Sequence, residues 1–360
     1  MMKKVKHGGN IYEIAEKLGI QKEEIIDFSA NINPLGVPIN FKKALIENID
    51  RIENYPDPEY NGLIQAIAKE HHINREYITV GNGATEVIFS MIASLKPKKS
   101  MILAPTFGEY ERALMRAGSQ VEYFHLKEEN DFQVDDDILK TIDESFDLVI
   151  LCNPNNPTSQ MVENKRLIKI LKHCEKNHVH LMMDEAFIDF VDEPTKETML
   201  PYIMNYHNLI IVKALTKFYA LPGLRIGYGI TSNVRLLERV NDHKEPWTIN
   251  SYAAMAGMVF KDKIYREKSR EWITSERKDF FDELKKINKI KVYKPNGNYI
   301  LFKLLEERKD LREVLLKKKI LIRSCSNYKN LDESFYRIAI KDKGLNKLFA
   351  KALKEVLYES

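Results

Sequence analysis

Between residues 77 and 230 the chain alternates short apolar runs with stretches whose apolar residues recur every three or four positions. The runs at 77–80, 101–103, 121–124, 148–151, 180–183, 209–212 and 226–230 predict strands, and 85–95, 109–117 and 165–177 predict helices between them. Strands that are apolar at nearly every position predict a sheet covered on both faces, and helical crossovers make it mostly parallel. The expectation is an α/β protein whose large domain holds a mostly parallel seven-stranded sheet. Before it come a short helix over 11–18, the run IIDFSANINPLG at 25–36 that breaks into turn chemistry, the extended YPDP at 55–58, and a helix over 62–71. After residue 234 the spacing is helical to about 284, interrupted at Pro246-Trp247. Strands at 292, 299–304, 320–322 and 335–340 with helices at 310–318 and 345–357 then predict a smaller α+β C-terminal domain. The division expected is an arm over 1–35 that packs with the small domain, a large domain over 36–250, and an interdomain helix plus small domain over 251–360.

Composition adds little to this picture. The 360 residues are 44% hydrophobic and 30% charged, ordinary for a globular chain. The net charge of +4 is a small difference between 56 basic and 52 acidic residues, and Lys317-Lys318-Lys319 is too short for a nucleic-acid patch. Three scattered cysteines, Cys152, Cys174 and Cys325, show no metal spacing and fit a reducing compartment. MMKKVKHGGN has no apolar h-region and no run approaches a membrane span, so the expectation is a cytoplasmic protein without nucleic-acid or membrane partners.

Candidate chemistry lies in the loops after the predicted strands, where ligands of such sheets bind. Gly81-Asn82-Gly83-Ala84-Thr85 leads into a helix, offering backbone N–H groups and a hydroxyl to an anion. Ala104-Pro105-Thr106-Phe107-Gly108-Glu109-Tyr110 brings an aromatic ring. In Cys152-Asn153-Pro154-Asn155-Asn156-Pro157-Thr158 the prolines stiffen a run of amides, so that Asn156 can be aimed at an oxygen. Asp184 directly follows a buried strand, a place where a carboxylate is costly unless something pairs with it. LIIVKALTKFYALPGLRIGY, at 209–228, sets Lys217 beside Thr216 and eight residues before Arg225. Amine, hydroxyl and guanidinium together suit a phosphorylated aldehyde such as pyridoxal phosphate. Taken singly, each loop also fits a plain turn, an N-cap or a surface charge. Five in succession, for phosphate, ring face, phenolic oxygen, ring nitrogen and aldehyde, point to one cofactor.

These motifs resemble the fold-type I pyridoxal-phosphate enzymes of the aspartate aminotransferase superfamily over essentially the whole chain. Within that group the chain is similar to the histidinol-phosphate aminotransferases and closer still to the threonine-phosphate decarboxylases. The carriers are HGGN at 7–10, DFSANINPLG at 27–36, DEAFIDF at 184–190, LTKFYALPGLRIGY at 215–228 and IRSCSNY at 322–328. The resemblance implies that Lys217 is the catalytic lysine that condenses with the aldehyde, that Asp184 pairs with the pyridine nitrogen, and that Asn156 meets the phenolic oxygen. It implies Phe107 against the ring, and Gly83, Ala84, Thr85, Thr216 and Arg225 around the cofactor phosphate. Tyr55 would reach the phosphate of a neighbouring subunit's cofactor, which implies a homodimer. His7, Gly8, Asn31, Asn156, Arg323 and Arg337 would bind a substrate bearing a phosphate and a carboxylate.

The implied activity is decarboxylation of L-threonine O-3-phosphate to (R)-1-aminopropan-2-yl phosphate for cobalamin synthesis. An aminotransferase acting on histidinol phosphate is the alternative, and a non-catalytic regulator built on the same fold is the third reading. Three positions depart from the aminotransferase pattern: Ala214 for a serine, Ser159 for the glycine of an NPTG turn, and Phe187 for a tyrosine. Phe187 favours the decarboxylase, and Ala214 removes one hydroxyl from the phosphate cradle.

Overall fold

The computed structural model describes residues 8–306 and 310–358. All seven expected strands form one sheet: β1 (Ile78–Asn82), β2 (Lys99–Ala104), β3 (Gln120–His125), β4 (Leu148–Cys152), β5 (His180–Asp184), β6 (Leu209–Ala214) and β7 (Ile226–Ile230). Their order across the sheet is β1-β7-β6-β5-β4-β2-β3. Only β7 runs against its neighbours, pairing antiparallel with β1 and with β6.

Alternation within each strand explains why the strands read as continuously apolar. Val149, Leu151, Leu181, Met183, Leu209 and Ile211 join the larger core, while Leu148, Ile150, Met182, Ile210 and Val212 join a second core under the helices Gly83–Leu95, Glu109–Arg116 and Val234–Asp242. Both sheet faces are therefore dry, as a parallel sheet with crossover helices requires.

A second sheet of four antiparallel strands follows: β8 (Ile290–Val292), β9 (Tyr299–Leu304), β10 (Arg323–Ser324) and β11 (Phe335–Ala339), in the order β10-β11-β9-β8. The long helix Lys263–Leu284 precedes it and Lys343–Tyr358 follows it. Near the N-terminus, Ile26 and Asp27 pair in parallel with Ile320 and Leu321.

Three local expectations change. The run at 320–322 is not one strand: Ile320–Leu321 joins the N-terminal segment and Arg323–Ser324 joins the small sheet, with buried Ile322 between them. No loop separates β1 from its helix, because Gly83 turns the chain at φ +82° and is already the first helical residue. The stretch after 234 breaks where Pro246-Trp247 predicts, with Trp247 at φ +58°, but beyond it Ala253–Lys261 is 3₁₀ and a second break at Asp262 precedes Lys263–Leu284.

Candidate active site

The carboxyl ends of the parallel strands deliver the candidate residues to one rim. Phe107 follows β2, Asn156 follows β4, Asp184 ends β5 and Lys217 follows β6. Arg225 precedes β7, and because β7 is antiparallel its start lies at the same rim, with Asn82 opposite Ile226 and Ala214 opposite Gly227. A Cβ at Gly227 would sit 2.3 Å from the Ala84 nitrogen. Only glycine lets β7 pass so close beneath the helix start.

Gly8, Asn31, Ala84, Thr85, Phe107, Asn156, Asp184, Thr216, Lys217, Arg225, Arg323 and Arg337 all line one cavity of about 490 Å³. Gly83 touches it through Arg225: a Cβ there would lie 2.3 Å from Arg225 Nη2. Tyr55 is not brought in. It is 80% exposed and pairs with Trp247, ring centroids 4.7 Å apart. His7 lies outside the described residues.

Asp184 is buried and accepts from the Tyr110 hydroxyl at 2.5 Å and the Ala186 amide at 2.9 Å. Burial pushes its carboxyl above the ordinary range, and those two hydrogen bonds oppose the rise. Lys217 lines the cavity and is half-buried. Burial, then the charges of Arg337 and Arg225, lowers its ammonium to about 8, so the free, nucleophilic amine is far more populated near neutral pH than that of an ordinary lysine, although the ammonium is still the major form.

Asn156 is oriented by two donors. Its Oδ1 accepts from Arg337 Nη1 at 2.6 Å and from the Tyr328 hydroxyl at 3.3 Å, which leaves Nδ2 to donate into the cavity. Arg337 also donates to the Ser29 carbonyl at 2.8 Å, and its Nε has no described partner although the side chain is buried. Arg323 donates to the Ser324 carbonyl and to Asn327 Oδ1, and its guanidinium lies over the Tyr328 ring at 5.2 Å. Arg323 and Arg337 stand directly opposite each other across β10 and β11. Among the described residues neither has a carboxylate partner. Asn31 Oδ1 is likewise buried without a partner.

Two contributors carried no role in the sequence reading. Tyr110, which holds Asp184, sits three positions after Phe107 and meets it edge-on at 5.5 Å; that helical spacing at the start of Glu109–Arg116 was the available signal. Tyr328, at the end of IRSCSNY, had no signal beyond the motif, since its contact with Asn156 joins the two sheets. Phe187 packs edge-on against Tyr299 at 4.9 Å. Tyr299 in turn donates to the Asn155 carbonyl at 2.8 Å and steadies the loop that carries Asn156.

A threonine-phosphate decarboxylase from Salmonella typhimurium is 41% identical over 352 residues, 98% of this chain and 96% of its own length. The crystal structure of a histidinol-phosphate aminotransferase from Clostridium acetobutylicum superposes with a TM-score of 0.86 at 38% identity, covering 92% of this chain and 99% of that one. That of an L-threonine-O-3-phosphate decarboxylase from Porphyromonas gingivalis gives 0.83 at 28% identity, covering 92% and 98%. The family "aminotransferase class I and II" matches residues 23–353, and this chain belongs to it.

Proposed function

We propose that this chain is a pyridoxal-phosphate-dependent carboxy-lyase that converts L-threonine O-3-phosphate to (R)-1-aminopropan-2-yl phosphate and CO₂, the step that supplies aminopropanol phosphate for cobalamin synthesis. The observation that carries this reading is the opposed pair Arg323 and Arg337 in the cavity that holds Lys217. Like charges directly across a ladder destabilise it, and a ligand that brings two anionic groups relieves the repulsion. The decarboxylase from Salmonella typhimurium, 41% identical over nearly the whole chain, supports the same substrate.

The residues present fit the cofactor. Asp184 is a buried acid held by a hydroxyl and an amide and suits a protonated ring nitrogen. Asn156 Nδ2 suits the phenolic oxygen, and Phe107 the ring face. The start of Gly83–Leu95, with Ala84, Thr85, Thr216 and Arg225, offers backbone N–H groups, hydroxyls and a guanidinium to the phosphate. When bound, pyridoxal phosphate supplies an electron sink for a bond broken at the substrate's Cα.

The chain's own residues choose the bond and handle the proton. Arg337 is the buried arginine beside Asn156 and Ser29 and takes the α-carboxylate. Arg323, half-buried, takes the phosphate together with Gly8, Asn31 and His7. Anchoring both ends of the substrate decides which Cα bond stands perpendicular to the ring. Lys217, with its ammonium near 8, is poised to return a proton to Cα after CO₂ departs.

The working unit in this reading is a homodimer in which Tyr55 reaches the neighbouring subunit's cofactor phosphate. Ile39, Ile46, Ile49, Ile52 and Tyr55 are exposed in succession along residues 39–55, which supports a covered face. A cytoplasmic location is supported by three buried, unpaired cysteines. No helix among the described residues is long and apolar enough to cross a membrane.

The histidinol-phosphate aminotransferase reading is favoured by the solved structure at 38% identity. One NMR sample separates the two: loaded protein with L-threonine O-3-phosphate and no keto acid. Aminopropanol phosphate accumulating over many turnovers is expected. Conversion sustained only after 2-oxoglutarate is added would establish the aminotransferase instead.

Replacing Gly83 tests the phosphate cradle. An alanine Cβ would collide with the Arg225 guanidinium at a φ that suits glycine. Gly83→Ala is expected to weaken pyridoxal phosphate binding about tenfold, roughly 1.4 kcal/mol, and to leave binding of unphosphorylated pyridoxal unchanged. Titration of the cofactor-free protein with each ligand measures both.

A further inference from the structure

Ser159 is a residue to which the reading above gives no task. It is fully buried, it has φ +60°, and it stands three positions after Asn156. A non-glycine residue is uncommon at that φ, so its side chain is expected to offset the strain. Ser159 Oγ accepts from the Gly297 amide at 2.9 Å and from the Asn296 amide at 3.2 Å. Its carbonyl accepts from the Asn296 amide at 3.0 Å and from Asn296 Nδ2 at 3.1 Å. Its own amide donates to the Asn155 carbonyl at 2.7 Å.

Asn296 and Gly297 lead directly into β9, in which Leu301 is the register partner of Arg337. The contact between Asn156 and Arg337 therefore has both ends tied through one residue. One end is the loop after β4, three positions from Ser159. The other is β11, reached through β9 from the segment that Ser159 grips.

We propose that Ser159 is a positioning residue: its hydroxyl clasps residues 296–297 to the Asn156 loop and thereby fixes the Arg337 guanidinium for the substrate's carboxylate. The proposal rests on the assignment of Arg337 to the carboxylate made above. A glycine in this place, as in the NPTG turn that the sequence resembles, relaxes the backbone and keeps the carbonyl's bonds to Asn296 but supplies no side-chain acceptor for the Gly297 amide. Ser159 thus exchanges local backbone ease for a bond between the two sheets.

The test compares Ser159→Gly and Ser159→Ala in the loaded enzyme. Both variants lose the Oγ acceptor and keep the carbonyl, but only glycine is at ease at φ +60°, so their thermal midpoints should differ while their functional defect should match. For both, the KM for L-threonine O-3-phosphate is expected to rise about tenfold, the scale of one or two net hydrogen bonds. The inhibition constant of (R)-1-aminopropan-2-yl phosphate, which lacks the carboxylate, is expected to stay within about twofold. Hydrogen exchange at the Gly297 amide, read without any turnover, is expected to accelerate in both variants.

Unchanged exchange at Gly297 would overturn the clasp. Faster exchange with KM and inhibition constant rising together, or with a defect that follows thermal stability, would reduce Ser159 to a structural residue and overturn the positioning role. Arg337→Ala serves as the control for the underlying assignment: if it weakens substrate and product alike, the carboxylate assignment fails and this proposal fails with it. If the wild-type protein is instead an aminotransferase, the same comparison uses 2-oxoglutarate, which carries carboxylates, against histidinol phosphate, which carries none. The decarboxylase reading can thus fail while the Ser159 test still decides.

Discussion

Lys217→Ala is expected to lower turnover of L-threonine O-3-phosphate by about ten-thousandfold, the upper end of what a positioned proton donor contributes. The same change removes the amine that attaches to the cofactor's aldehyde, so the long-wavelength absorbance of the loaded protein should disappear with the activity. The fold should not suffer. Lys217 is a cation that burial and two arginines disfavour, and its removal relieves that repulsion. Its amine takes up a proton near pH 10.5 when unfolded and only near about 8 when folded. Between these values the unfolded chain binds more protons, so stability rises with pH across that window. Below about 8 the penalty is fully present. The difference in thermal midpoint between Lys217→Ala and the cofactor-free wild type should therefore be largest below that pH and vanish above 10.5, and midpoints measured across the range check it. A wild type more stable than Lys217→Ala below that pH would mean instead that the ammonium has a stabilising partner.

Arg337→Ala is expected to lower kcat/KM by about 10- to 100-fold, since hydrogen bonds to a charged group contribute roughly 1.5–3 kcal/mol each. Arg337→Lys should recover only part of this loss. An ammonium on a flexible stem cannot hold Asn156 and the Ser29 carbonyl while presenting a fork to a carboxylate. Without the Arg337 donor, Asn156 Oδ1 keeps only the Tyr328 hydroxyl at 3.3 Å. Its amide then becomes freer to turn, so the cofactor's absorbance should shift as well. Loss of the charge that opposes Arg323 limits the damage to folding, and thermal midpoints separate the catalytic effect from instability. A variant that kept wild-type kcat/KM would sink the assignment of Arg337 to the substrate.

What the sequence determined by itself was local. The strands inside the sheet were legible because they are buried on both faces and therefore apolar almost throughout, the half-exposed edge strand β3 by its short run at 121–124, and the residues after them because turn chemistry interrupts such runs sharply. Lys217, Asp184, Asn156 and Phe107 were legible as polar or aromatic residues placed where a parallel sheet exposes its carboxyl ends. The division of 320–322 and the helix start at Gly83 were not, because tertiary pairing and one residue's φ decided them.

The tertiary structure alone decided what those residues face. The direction of β7 carries Arg225 to the same rim as the parallel strands' ends, and direction leaves no trace in periodicity. The pairing of β10 with β11 sets Arg323 against Arg337, whereas the resemblance named each for the substrate without saying that they face each other. The burial of Asp184 under the Tyr110 hydroxyl, the orientation of Asn156 by Arg337 and Tyr328, and the grip of Ser159 on Asn296 and Gly297 are contacts between segments far apart in the chain. Hydrophobic spacing records how a segment meets the core. The energies that fix these polar contacts come from partners elsewhere in the chain, so they exist only once the sheets have packed.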